Sequence, residues 1–210
     1  NVSDIFIRDL CLSAEPGCVP STRLVSVGLG GQPADGASSD PQMGPPLQDF
    51  YGHEQHGRFI VFVSSATNLV AGDTNSASDV FERDTCSGEP GCLPSTVRVS
   101  VTSSGEQIAG ASNSPDFVRW DGEDVPFVTA ANGVVPEDTN SLADVYVRHL
   151  CPVGAADYCK AVTTRVSVGV GGVQGDGASY APRLNHDPWG VWVVTFMSDA
   201  TNLIPGVVTT

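Results

Sequence analysis

Lysine is almost missing. Lys160 is the sole one, and lysine plus arginine number 10 against 24 aspartates and glutamates. The formal charge of −14 repels nucleic-acid phosphates and anionic lipid surfaces, so neither is expected as a partner. Cations are attracted instead. Charged residues of any kind make up only 16% of the chain, where a typical domain carries roughly 25%. No apolar run approaches the roughly 20 residues of a membrane span, so membrane insertion is not expected. No window shows a 3.6-residue apolar period with helix caps. Catalytic signatures are absent too: there is no G-x-S-x-G, no H-E-x-x-H and no phosphate loop. GLGG (28–31) and GVGG (169–172) lack the helix that follows a dinucleotide-binding turn. These absences argue against an enzyme. No leader segment precedes Asn1, which reads as a processed product. Asn1-Val2-Ser3 is an N-x-S sequon, so Asn1 is a candidate glycosylation site.

What is present is turns and repetition. Hydrophobic residues reach 40%, enough for a packed core, and 23 glycines with 15 prolines make the chain turn-rich. Three segments align: SDIFIRDLC (3–11), SDVFERDTC (78–86) and ADVYVRHLC (143–151). Each is followed by RLVSV (23–27), VRVSV (97–101) or TRVSV (164–168), then by ADGAS (34–38), IAGAS (108–112) or GDGAS (175–179). Pro41, Pro115 and Pro182 come three residues later in each copy. The fourth set is FVSSATNLVAGDTN (62–75), FVTAANGVVPEDTN (127–140) and FMSDATNLIPG (196–206). The order never changes, and the period is roughly 65–75 residues. The third copy ends in Gly206-Val207-Val208 where the others continue Asp-Thr-Asn.

The four sets are short β-branched or aromatic runs bounded by Gly, Pro, Asn, Asp and Ser, which is the pattern of strands and turns. The GAS-x-x-P stretch reads as the weakest strand. Four strands per repeat without a helix predict an all-β fold of β-propeller blades, each of four antiparallel strands. A β-sandwich of the same strands is the alternative, although sandwiches seldom carry so regular a repeat. The run GDTN-x-x-SDVFxRD, xRVSV, GxS-x-x-P and FVSxATNL resembles the TolB-like (WD40-like) propeller repeat of bacterial secreted and periplasmic proteins. That resemblance covers essentially the whole chain. It implies the fold and leaves activity open, because the repeat serves many functions.

Lettering the family's strands A to D from the axis outward, GAS-x-x-P is A, FVSxATNL is B, DVFxRD is C and xRVSV is D. A single domain over 1–210 then holds about three blade equivalents, with repeats near 1–75, 76–140 and 141–210. Two blades are complete. The chain opens with a C and D pair and closes with an A and B pair, so residues 1–28 and 175–210 are complementary halves of a split blade. Asp4, Ile5, Phe6, Ile7, Phe196 and Leu203 are the candidate assembly residues. An incomplete blade leaves backbone and apolar surface uncovered. Three routes cover it: closure within the chain, pairing between chains into a ring or filament, or continuation of a longer propeller.

Six cysteines fall as local pairs in the C–D loop of each copy: Cys11/Cys18, Cys86/Cys92 and Cys151/Cys159. The repeat makes one disulfide per copy the expected pairing. The spacing does not suit the short C-x₂₋₄-C of zinc sites. Disulfides imply an oxidising place, extracellular or periplasmic.

The acidic B–C turns carry Asp73, Asn75 and Asp79, then Asp138, Asn140 and Asp144. Oxygen ligands at such spacing suit Ca²⁺, the one cofactor to consider, yet Asp and Asn also favour turns for local reasons. His53-Glu54-Gln55-His56, with Asp49, lies in the 42–57 insertion, either a transition-metal cluster or an exposed decorative loop. Trp120, Trp189, Trp192, Tyr51 and Tyr180 stack on a glycan or pack beside strands. Arg8, Arg83 and Arg148 recur in each C strand, as fixed partners for a recurring Asp. The preferred function is a secreted structural protein that assembles with other copies of itself through the split blade. The alternative is a piece of a larger propeller that binds a glycan, a peptide or Ca²⁺ at its acidic face.

Overall fold

The computed structural model describes residues 2–12, 17–44, 47–48, 54–55, 57–116, 123–151, 159–186 and 192–207. Within them the chain is all-β. The strands are β1 (Phe6–Asp9), β2 (Ser21–Leu24), β3 (Ser38–Met43), β4 (Leu47–Gln48), β5 (Glu54–Gln55), β6 (Phe59–Ser64) and β7 (Asp79–Asp84). They continue with β8 (Ser95–Arg98), β9 (Ser112–Asn113), β10 (Asp124–Thr129), β11 (Asp144–His149), β12 (Val162–Arg165), β13 (Ser179–His186) and β14 (Trp192–Ser198). Three single 3₁₀ turns complete the regular structure, and no helix among the described residues is long and apolar enough to cross a membrane.

All pairings are antiparallel. β1 and β2 form an N-terminal two-stranded sheet. A first four-stranded sheet runs β3-β6-β7-β8, and a second runs β9-β10-β11-β12. β13 and β14 form a C-terminal two-stranded sheet, and β4–β5 is a short ribbon inside the 42–57 insertion. The two four-stranded sheets share one register: Phe62 opposes Phe81, and Phe127 opposes Tyr146.

The recurring proline marks a bulge. The residue before it has positive φ in every copy, at Asp40 (50°), Ser114 (53°) and Ala181 (50°). The β3–β6 and β13–β14 registers shift there. A strand that lies at a sheet edge tolerates proline because the missing N–H has no ladder partner. The glycine of the first and third G-A-S runs has a different cause. A Cβ on Gly36 would sit 2.5 Å from the Ser65 backbone, and one on Gly177 2.5 Å from the backbone of Asp199 and Ala200. The exit of the following strand leaves no room for a side chain.

Packing occurs between consecutive sheets. Ile5, Val25, Ile60, Phe62, Leu69 and Phe81 join the N-terminal sheet to the first four-stranded sheet. Val61, Val63, Val80, Val99, Phe127 and Tyr146 join the first to the second. β6 therefore sends Ile60 and Phe62 backward and Val61 and Val63 forward, the period-2 alternation of a strand buried on both faces. Disulfides close the three hairpin loops: Cys11–Cys18, Cys86–Cys92 and Cys151–Cys159. They place the chain in an oxidising environment.

Candidate functional site

In each four-stranded sheet an aromatic on the third strand lies against a phenylalanine on the second. Phe62 and Phe81 stack at 6.0 Å, and Phe127 and Tyr146 at 5.5 Å. All four are fully buried, and the preceding sheet supplies a buried valine beneath each pair, Val25 and Val99. The equivalents in the two-stranded sheets are Phe6 and Phe196, and neither has its mate. Phe6 is 61% exposed. Phe196 lines an open groove of about 360 Å³ with Val147, Val166, Leu184 and Val194. Val166 is the counterpart of Val25 and Val99, yet it is only half-buried because nothing covers it. The outer face of β14 is uncovered as well, with Val193 at 50% and Met197 at 57% exposure. Among the described residues β1 pairs only with β2 and β14 only with β13, and no pairing joins the two sheets.

A buried ion cluster sits beside each stacked pair. Arg98 lies 3.2 Å from Asp73 and 3.4 Å from Asp79, with all three side chains under 10% exposed. Arg165 repeats this with Asp138 at 3.6 Å and Asp144 at 3.4 Å. Gln107 closes the first cluster, donating to Asp73 and Asp79 and accepting from Thr74. Gln174 closes the second, and with its oxygen turned to Arg165 it accepts at 2.8 Å. A serine hydroxyl donates to the aspartate that opens the third strand: Ser100 to Asp79 and Ser167 to Asp144. Burial is the largest influence on Asp79 and lifts its carboxyl above the usual range, against Ser100, Arg98, Gln107 and Asn75. Asp144 is lifted in the same way, chiefly by burial. The Tyr146 hydroxyl donates to Asp138, and burial followed by that carboxylate pushes the phenol far up.

Each acidic turn is thus gathered around its own guanidinium, Arg98 or Arg165. Asn75 donates to Asp79 and to the Ile108 carbonyl, while its own oxygen accepts from Ala77. Asn140 donates to the Gly175 carbonyl and accepts from Leu142. The positive charge facing these carboxylates comes from strand β8 or β12. Among the described residues the C-strand arginines hydrogen-bond to threonine, although Asp84 still acts electrostatically on Arg83. Arg8, Arg83 and Arg148 donate to Thr22, Thr96 and Thr163 of the neighbouring strand. Arg98 and Arg165, with Gln107 and Gln174, were not singled out from sequence. The signal was there: the Arg of R-V-S-V is present in two copies and replaced by Leu24 in the third.

Of the expected assembly residues, Phe6 is exposed and the half-buried Phe196 lines the open groove. Ile5 is instead buried in the chain's own core, and Ile7 packs against that core. Asp4 accepts from Ser26, as Asp79 does from Ser100. Leu203 packs near Gly169 and Gly175 of the same chain. Asn1, Asp49, Tyr51, His53, His56, Trp120 and Trp189 lie outside the described residues. Trp192 opens β14, opposite His186. Tyr180 donates to the exposed Asp199, so it sits at a strand surface. No protein-family model matches the chain, and no curated protein or solved structure is significantly similar to it.

Proposed function

We propose that this chain is a secreted β-propeller-repeat protein whose role is assembly: it joins other copies of itself by strand addition at its two-stranded sheets. The C and D half of one copy completes the A and B half of the next. Whether the product is a ring or an open filament depends on whether the rotation per copy closes.

The observation that carries this is the exposure of Phe6 on the N-terminal sheet together with the open groove around Phe196 on the C-terminal one. Burying one such side chain contributes roughly 1.5–3 kcal/mol, and unpaired strand edges are themselves a template for another strand. The cluster pattern in the complete sheets supports the fit, because Phe81 and Tyr146 occupy the kind of seat that Val147, Val166 and Phe196 leave empty. The disulfides suit an extracellular structural part.

The test is the mass of the native particle by light scattering with direct imaging. Multiples of 21.8 kDa that dissociate on dilution are expected. A monodisperse 21.8 kDa species at micromolar concentration would refute the reading. Each copy carries −14, so association should strengthen as salt rises and screens the repulsion.

A further inference from the structure

Three positions of the repeat change together, and only at the open sheets. The Arg of the ion cluster, Arg98 or Arg165, is Leu24 in the N-terminal sheet. The Gln that closes the cluster, Gln107 or Gln174, is Pro33, as the matched bridges Val27–Pro33, Val101–Gln107 and Val168–Gln174 establish. The first Asp of the cluster, Asp73, is Val207. That last equivalence rests on a loop duplicated bond for bond. Thr67 donates to Asp35 as Thr201 does to Asp176, and Asn68 donates to the Pro33 carbonyl as Asn202 does to that of Gln174. Gly72 and Gly206 then share positive φ, 74° and 77°, and the next residue is Asp73 or Val207.

Leu24 and Pro33 lie at one end of the chain and Val207 at the other. Inside a complete sheet the same three positions touch. We infer that Leu24, Pro33 and Val207 are the specificity determinants of the junction between copies, Val207 of one copy meeting Leu24 and Pro33 of the next. This rests on the strand-addition reading above. The register follows from the complete sheets: Phe196 opposes Phe6 of the next copy, and Val193 opposes its Asp9, as Phe62 opposes Phe81 and Phe59 opposes Asp84.

The chemistry explains the exchange. Leu24 opposes Phe6 in β1–β2, where Arg98 opposes Phe81 in β7–β8. An ion cluster formed within one chain is desolvated once, on folding. A junction built from it would desolvate a guanidinium and a carboxylate at every association, and such pairs gain little over apolar side chains of similar size. Val207 also takes one negative charge out of a contact between two acidic copies. Asp4 remains, and it keeps its Ser26 donor. The junction is consequently selective: a carboxylate introduced at position 207 meets no cation and faces the Asp4 carboxylate besides, whereas a guanidinium introduced at position 24 finds Asp4 of its own chain, as Arg98 finds Asp79, and no second carboxylate from the neighbouring copy.

A charge exchange tests this. Leu24→Arg and Val207→Asp are made in separate full-length chains, and association is followed by light scattering. Val207→Asp alone is expected to associate roughly a hundredfold more weakly than wild type, because its buried charge is left uncompensated beside Asp4; Leu24→Arg, partly compensated by Asp4, is expected to weaken association less. An equal mixture is expected to regain association. In an alternating array every junction joins either the two introduced charges to each other or the native Val207 to the native Leu24. An unimpaired Val207→Asp variant, or a mixture that associates no better than Val207→Asp alone, overturns the inference while wild-type association keeps the broader reading. Absent wild-type association removes both. Should Leu24→Arg fail to fold, Val193→Cys and Asp9→Cys chains serve instead. Cross-linked dimers are expected only on mixing the two, and dimers from Val193→Cys alone would mean edge-to-edge pairing of β14 and overturn the register.

Discussion

Arg98 is the sharpest place to perturb the interior. It is the cation facing Asp73 and Asp79, at 3.2 and 3.4 Å, in a cluster almost closed to solvent. Its contacts are ionic more than directional, since Nε and one terminal nitrogen lack a well-aligned acceptor. At an effective dielectric of about 20 each pair is worth roughly 5 kcal/mol of attraction, much of it offset by desolvation. Removing only the arginine leaves the offset standing. Arg98→Leu is expected to cost about 3–5 kcal/mol, a large share of a typical total stability of about 5–15 kcal/mol. The triple change Arg98→Leu, Asp73→Val and Gln107→Pro copies the apolar set of the open sheets. It leaves Asp79 with Ser100, as Asp4 is left with Ser26. It should recover most of the loss, to within about 1–2 kcal/mol of wild type. Urea unfolding at a single protein concentration, with disulfides intact, measures both. A loss below about 1 kcal/mol for Arg98→Leu, or a triple variant no more stable than the single one, would refute the reasoning.

Phe6→Asp should abolish association while leaving the thermal midpoint of the dissociated chain within a few degrees, whereas Phe81→Ala should lower stability by about 3–5 kcal/mol; sedimentation and calorimetry separate the two. Replacing Cys86 and Cys92 by serine opens a short loop and should cost about 2 kcal/mol by the chain-entropy estimate, read from denaturant midpoints. Gly177→Ala forces a Cβ to within 2.5 Å of backbone and should cost about 1–3 kcal/mol in urea unfolding. Gly175→Ala should cost less, because its Cβ would meet the Ala200 side chain at an ordinary 3.4 Å. Asp176 is held below its ordinary value of 3.8, first by the Thr201 hydroxyl. Its contribution is therefore complete above that pH and lost as the pH falls through the folded value, so the gap in midpoint between wild type and Asp176→Asn should close in acid.

Much of the architecture was legible in the residues. Strand positions, their order and the cysteine pairing all depend on local composition repeated three times. A reading made in one copy could be checked in the next. The DVFERD and DVYVRH runs landed on β7 and β11 as expected, whereas β8 and β12 begin earlier than the expected V-R-V-S-V and T-R-V-S-V runs and share only Val97-Arg98 and Thr164-Arg165 with them; the disulfides closed the loops between the paired strands. The partner of each aspartate was less accessible. Asp73 meets Arg98 across 25 residues and Gln107 across 34, through register and loop geometry that the residue types do not encode singly. Arg83 was the nearer candidate in sequence, yet alternation along β7 turns it toward Thr96.

By itself the sequence determined that this chain is made of repeated antiparallel strands and that its loops are stapled. Backbone propensity and local spacing suffice for that. Only the tertiary structure decided which face each strand buries, that Ile5 is a core residue while its neighbour Phe6 is not, and that Leu24, Pro33 and Val207 answer to a single cluster. Those facts depend on which sheets pack together, and packing couples residues that no local pattern places side by side.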